Sequence, residues 1–175
     1  MKLKVFALLL AALMLTGCGS EAPAPQSPDR ATNSTENAAT AAMSVPDFTV
    51  YDGDSQPVKL SDFLGKPIVL NFWASWCGPC KSEMPAFQKL YEELGEDVHF
   101  VMVDVGEHMD AATAFLATTD YTFPAYFDVN NDASYAYQVN SIPTSFFLNA
   151  KGELVTYHIG TMDEGSLRAA IKAIQ

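Results

Sequence analysis

Cys77 and Cys80 stand three residues apart in the stretch Trp73-Ala74-Ser75-Trp76-Cys77-Gly78-Pro79-Cys80-Lys81. Two thiols at this spacing can join and separate with little backbone movement. Positions i and i+3 of a first helical turn bring their Cα atoms to about 5–6 Å, inside the range a disulfide accepts. The motif follows the apolar run Ile68–Trp73 and precedes helical spacing through Met84, Phe87, Leu90, Tyr91 and Leu94, which puts it at a strand-to-helix junction. A helix N-terminus presents unpaired N–H groups and a positive dipole end, which favour a thiolate and bring a cysteine pKa from about 8.5 toward about 3.5–7.5. Cys77 is therefore expected to be the exposed nucleophile, and Cys80, one turn further in, to displace it from a mixed disulfide. Between them, Pro79 loses nothing, because a first-turn N–H has no helical partner.

Glu83 shares a helix face with Cys80, again at i and i+3. A resolving thiol shielded from water needs a base, and a carboxylate poised upward by burial suits that task. The competing reading of Glu83 is a surface charge that complements the helix dipole. Trp76, beside Cys77, is expected to shape the contact surface, whereas Trp73, Tyr126, Phe127, Phe146 and Phe147 are assigned to the core. His99, His108 and His158 are scattered and complete no C-x2-C…H-x3-5-H pattern, so neither a metal site nor a cofactor is expected. The third cysteine, Cys18, stands alone, which rules out a structural disulfide framework.

The elements that must position this chemistry read as an α/β domain over residues 46–175, with a central mixed sheet flanked by helices. Phe48–Tyr51 and Val58–Leu60 form a hairpin across Asp52-Gly53-Asp54, Ser61–Gly65 a helical turn, and Ile68–Trp73 a strand covered on both faces. The helix after the motif stops at Gly95. Strands are expected at Val98–Val105 and Ala125–Phe127, helices at 110–119 and Leu167–Ile174, a helical turn at Asp132–Tyr137, and a second hairpin from Ser145–Leu148 and Leu154–Ile159. The 175 residues are 49% hydrophobic, enough for one packed core, and the formal charge of −11 argues against nucleic acid as a partner.

Upstream the composition changes. Lys2 and Lys4 precede an apolar run from Val5 to Leu15 that suits an export signal over residues 1–17 and is too short to span a bilayer comfortably. Leu15-Thr16-Gly17-Cys18 resembles the lipobox of bacterial lipoproteins, which implies cleavage before Cys18, lipidation of its sulfur and attachment to a membrane. Residues 18–45, rich in Ala, Pro, Ser and Thr, are expected to form a flexible tether with an r.m.s. span of about 30 Å.

Trp76-Cys77-Gly78-Pro79-Cys80-Lys81 resembles the thioredoxin active site, with Pro85 in the place of that family's helix-kinking proline. Ile142-Pro143-Thr144 resembles its cis-proline loop, which implies that Ile142 and Pro143 face Cys77 and offer backbone to an incoming peptide. Over residues 46–175 the chain is closer still to the TlpA/ResA-like membrane-anchored thioredoxins. The marks are Pro46-Asp47-Phe48-Thr49, Leu60-Ser61-Asp62-Phe63-Leu64-Gly65-Lys66, an insertion around residues 106–123, and Glu83 three residues after the second cysteine. Thioredoxin proper has a buried acid in the strand leading to the motif, where this chain has Asn71. The resemblance implies a thioredoxin fold with an N-terminal β-hairpin extension and a central insertion. It also implies a dithiol/disulfide cycle outside the cytoplasm, with Trp76, Gly78, Pro79, Ile142 and Pro143 contacting the client. Electrons would come from a membrane thiol transporter of the CcdA/DsbD kind and go to an exported disulfide protein such as an apocytochrome c.

Two other activities fit parts of the pattern. Pro46–Lys66 also resembles the opening of peroxiredoxins, although Leu70 and Ala74 occupy the places of the proline and threonine that serve peroxide chemistry there. Tethered copper chaperones of this fold use CxxxC with a distant histidine, and the motif here is one residue shorter.

Overall fold

The computed structural model describes residues 43–175; the expected signal, Cys18 and most of the tether lie outside the described residues. The strands are β1 (Met43–Ser44), β2 (Thr49–Tyr51), β3 (Pro57–Lys59), β4 (Ile68–Trp73), β5 (His99–Asp104), β6 (Ala125–Phe127), β7 (Thr144–Leu148) and β8 (Glu153–Ile159). The helices are α1 (Gly78–Leu94), α2 (Met109–Leu116), α3 (Asp132–Ala136) and α4 (Glu164–Ile174), with a 3-10 turn at Leu60–Phe63. One mixed sheet runs in the order β1-β8-β7-β4-β5-β6-β2-β3. Strands β4, β5 and β6 are parallel to one another, and the remaining pairs are antiparallel.

Alternation along the central strands builds two cores, one on each face of the sheet. Val69 and Trp73 of β4, with Phe100 and Met102 of β5, face Met84, Phe87 and Leu90 of α1, Leu167 and Ile171 of α4, and Phe115 of α2. Ile68, Leu70 and Phe72, with Val101 and Val103, face the other way, onto Phe48, Val50, Leu60, Ala133 and Tyr137. Every residue of β4 is buried, which is why that strand reads as an unbroken apolar run. Asn71 is the exception in chemistry, lying on the α1 side of β4.

Several elements depart from the sequence reading at their ends. Met43–Ser44 belongs to the stretch expected as tether, yet it pairs with Leu154 and Glu153 of β8. Helix α2 stops at Leu116, short of 119, because the hydroxyls of Thr118 and Thr119 donate to the carbonyls of Phe115 and Leu116 and satisfy its last turn. Helix α4 starts at Glu164, before Leu167, because the Asp163 carboxylate accepts the Ser166 N–H at 2.7 Å and caps it. Gly95 does end α1, but with φ −64° and not in a left-handed turn. Glycine suits that place for space: a Cβ there would lie 2.6 Å from the Tyr91 carbonyl oxygen.

Candidate active site

Strand β4 delivers the chain from the core to the redox motif, and helix α1 begins inside it. Cys77 is the N-cap of α1, in extended conformation, and its Sγ accepts the N–H of Cys80 at 3.1 Å. The same donor would hold a Cys77 thiolate, the charge that a helix N-terminus favours. Cys77 and Cys80 are joined in a disulfide with Cα atoms 5.3 Å apart. The expectation of an exposed Cys77 is corrected: it is only 5% exposed, and Cys80 is fully buried. Both sulfurs belong to the core cluster on the α1 face, against which Ile142 packs, so Cys77 lies at the edge of the core. Trp76, 62% exposed, is the projecting side chain of the motif.

Glu83 is 2% exposed, and that burial leaves no room for the surface-charge reading. Its Oε1 accepts from Asn71 Nδ2 at 2.9 Å and its Oε2 from the Met162 N–H at 2.8 Å. Asn71 also donates to the Ser145 hydroxyl at 2.9 Å, so β4 and the segment before α4 converge on one carboxyl while β7 holds Asn71 from behind. Desolvation pushes the Glu83 pKa up from 4.5 to about 7, against the two hydrogen bonds that favour the charged form. A carboxyl balanced near neutrality can both take and return a proton at physiological pH.

The Ile142–Pro143 bond is cis, and Pro143 O accepts the Gly160 N–H at 2.8 Å, which ties the loop to the end of β8. Trp76 and Ile142 line one groove of about 510 Å³ together with Val105, Tyr135 and Val139. Gly78 and Pro79 are exposed at the start of α1 and lie outside that groove's lining. Lys81 extends from α1 over the Phe115 ring at 5.5 Å, which docks the inserted helix α2 against the motif.

Three partners were not singled out as site residues from the sequence. Asn71 carried a signal, a polar residue inside an otherwise apolar strand. Ser75 and Glu107 carried none. The Ser75 N–H and hydroxyl both donate to the Glu107 carboxylate, from the loop after β5. Of the histidines, His99 opens β5 against Phe63, with ring centroids 5.4 Å apart, while His108 and His158 are exposed. Among the described residues no group of three His, Cys, Asp or Glu side chains is placed to hold a metal ion.

The profile of the AhpC/TSA family matches residues 42–157. Thiol-disulfide oxidoreductase ResA of Bacillus subtilis is 34% identical over 131 residues, covering 74% of this chain and 73% of that protein. The chain belongs to the AhpC/TSA family, among its ResA-like thiol-disulfide oxidoreductases. The crystal structure of StoA from Bacillus subtilis superposes with a TM-score of 0.63 at 30% identity, over 74% of this chain and 98% of that one. The exposed lipoprotein thioredoxin of Streptococcus pneumoniae gives a TM-score of 0.64 at 29% identity, over 73% and 98%. The fold is thus the thioredoxin fold, with the β2–β3 hairpin and the α2 insertion in the places that the ResA-like resemblance implied. The protein is a thiol-disulfide oxidoreductase, and its CxxC pair occupies the strand-to-helix junction.

Proposed function

We propose that this oxidoreductase reduces disulfides of exported proteins while anchored through Cys18 to the outer face of the cell membrane. The observation that carries the reading is the joined Cys77–Cys80 pair at the start of α1 with Glu83 buried one turn beyond it. In the reduced state the Cys77 thiolate attacks a client disulfide, forming a Cys77–client bond and releasing one client sulfur as a thiolate. Glu83 takes the proton of Cys80, whose sulfur then attacks Cys77. The second client sulfur leaves, one client thiolate takes the proton held by Glu83 and the other a proton from solvent, so the client gains two electrons and two protons and the chain returns to its disulfide. A donor of dithiol type, in keeping with a membrane thiol transporter of the CcdA/DsbD kind, closes the cycle by reversing these steps.

Gly78-Pro79 between the cysteines supports the reducing direction, by resemblance to reducing thioredoxins. The groove between Trp76 and Ile142 supports an extended client peptide, of which an apocytochrome c cysteine pair is one example. The lipobox-like Leu15–Cys18 supports the anchor, as does the likeness to an exposed lipoprotein thioredoxin. No helix among the described residues is long and apolar enough to cross a membrane.

Peroxide chemistry has less support than disulfide chemistry, because Leu70 and Ala74 are buried apolar residues in the two places that would serve it. The reduced protein is expected to reduce an oxidised CxxC peptide rapidly and to consume hydrogen peroxide at least about 100-fold more slowly, as followed by stopped-flow tryptophan fluorescence. Faster turnover with peroxide would overturn the assignment. Cys18→Ser is expected to move the protein from the membrane to the soluble fraction of a bacterial host, and retention in the membrane would remove the anchor from this reading.

A further inference from the structure

Ser75 stands two residues before the nucleophile, and all of its donors end on one side chain. Its N–H donates to Glu107 Oε1 and its hydroxyl to Glu107 Oε2 at 2.6 Å. Glu107 comes from the loop that joins β5 to the inserted helix α2. The backbone turns there at Gly106, with φ +74°, and a Cβ at that position would lie 3.8 Å from Trp76 Cζ2. The segment leading into the insertion therefore meets the motif at Ser75 and lies beside Trp76.

Behind Glu107 lies Asp104, the last residue of β5, 2% exposed, with its Oδ1 unpartnered. Its carboxyl lies beside that of Glu107 and also near Asp128, which follows β6. Asp128 is committed elsewhere: it accepts the N–H groups of Ala133 and Ser134 at 3.1 and 2.8 Å and caps α3. None of the three acids takes part in an ion pair among the described residues. Three carboxylates without a cation relieve their repulsion by keeping a proton. Burial and the two neighbours push Asp104 up to about 9, so it carries that proton at neutral pH. Burial raises Glu107, but the hydrogen bonds from Asp104 and Ser75 outweigh it and hold Glu107 ionised, below the ordinary carboxylate range.

We propose that Asp104 and Glu107 form a positioning device for the exchange reaction: Glu107 anchors the Ser75–Cys77 loop, and Asp104 keeps Glu107 aimed at it. A neutral acid donates one hydrogen bond to Glu107, which leaves the remaining lone pairs free for the two Ser75 donors. Released from that anchor, Cys77 would wander from the first N–H groups of α1, and Trp76 from the groove it lines with Ile142. Small displacements of a reacting atom lower rates by one to two orders of magnitude. The device rests on thiol-disulfide exchange itself and on no particular client, so a small aromatic disulfide is the probe.

The test is the rate at which reduced protein attacks that disulfide, measured from pH 6 to pH 10. Glu107→Ala is expected to slow the attack about tenfold at pH 7, and Glu107→Gln, which keeps an acceptor for Ser75, to recover most of the loss. Asp104→Leu should resemble Glu107→Ala, whereas Asp104→Asn, which still donates an N–H, should rescue the rate to within about twofold of the wild type. The wild type should also lose rate above about pH 9, as Asp104 ionises against Glu107 and Asp128, and Asp104→Asn should not. A folded Glu107→Ala that reacts at the wild-type rate overturns the proposal. So does an Asp104→Asn no better than Asp104→Leu, or one that keeps the alkaline step. Should Glu107→Ala fail to fold, the two Asp104 variants and the alkaline step decide. Failure of the exported-client reading would leave all of these rates unchanged.

Discussion

Cys80→Ser is expected to convert the protein into a trap, with Cys77 bound to its clients as stable mixed disulfides and multiple turnover reduced at least about 100-fold. The expectation follows from the division of labour between the two sulfurs. Cys77 lies at the edge of the core as the N-cap of α1, while Cys80 is fully buried and joined to Cys77. An external disulfide therefore meets Cys77 first, and only an internal thiol can release the product. Serine at position 80 keeps the size and the helical backbone but cannot attack sulfur, so the first step survives and the second stops. Non-reducing electrophoresis of cells expressing the variant, followed by mass spectrometry, names the trapped clients. Cys77→Ser is the control and should trap nothing. Adducts carried by Cys77→Ser in place of Cys80→Ser would reverse the roles assigned to the two cysteines.

The second large effect concerns Glu83. Its pKa rises from 4.5 to about 7 on folding, so the native state favours the protonated form. The stabilisation from that proton is fully present below about pH 4.5 and is lost as the pH climbs through 7. The shift corresponds to about 3 kcal/mol across this window. Urea denaturation of the wild type and of Glu83→Gln at pH 5 and pH 8 isolates the contribution. The variant should gain on the wild type by an amount of that order between the two pH values, because a glutamine has no proton to lose. In kinetics the wild-type resolution step should accelerate through about pH 7, as Glu83 becomes available to accept the proton of Cys80. Glu83→Gln should lack that inflection and resolve about 100-fold more slowly, with the first attack little changed. A variant with an unaltered pH profile would remove Glu83 from proton transfer.

Both predictions share a structural cause that local sequence could not supply in full. The i, i+3 spacing of Cys80 and Glu83 is a property of one helix, and so is the N-terminal position of Cys77. The burial that gives Glu83 its pKa comes from elsewhere. Asn71 on β4 and the Met162 N–H before α4 reach the carboxyl from 12 and 79 residues away, and Ser145 on β7 completes the network. Met162 contributes only a backbone N–H, which any residue but proline could present, so its side chain carries no sequence signal. The limited exposure of Cys77 has the same origin, because the core cluster that encloses it draws on β4, α1, α4 and residues beyond. The partnership of Ser75 with Glu107 joins loops that are neighbours only because β4 and β5 are adjacent and parallel.

What the sequence determined by itself is local and periodic. The apolar run Ile68–Trp73 had to be a covered strand, the spacing from Met84 to Leu94 a helix, and a CxxC at their junction a redox pair with a thiolate-stabilising end. Hairpins followed from their turn residues, and the helix boundaries that shifted did so where single hydroxyls or carboxylates capped a terminus. The tertiary structure decided which polar groups were taken out of water together. That selection sets the proton of Glu83, the neighbours of Asp104 and the covering of Cys77, because desolvation and hydrogen bonding depend on atoms brought near in space, whatever their separation along the chain.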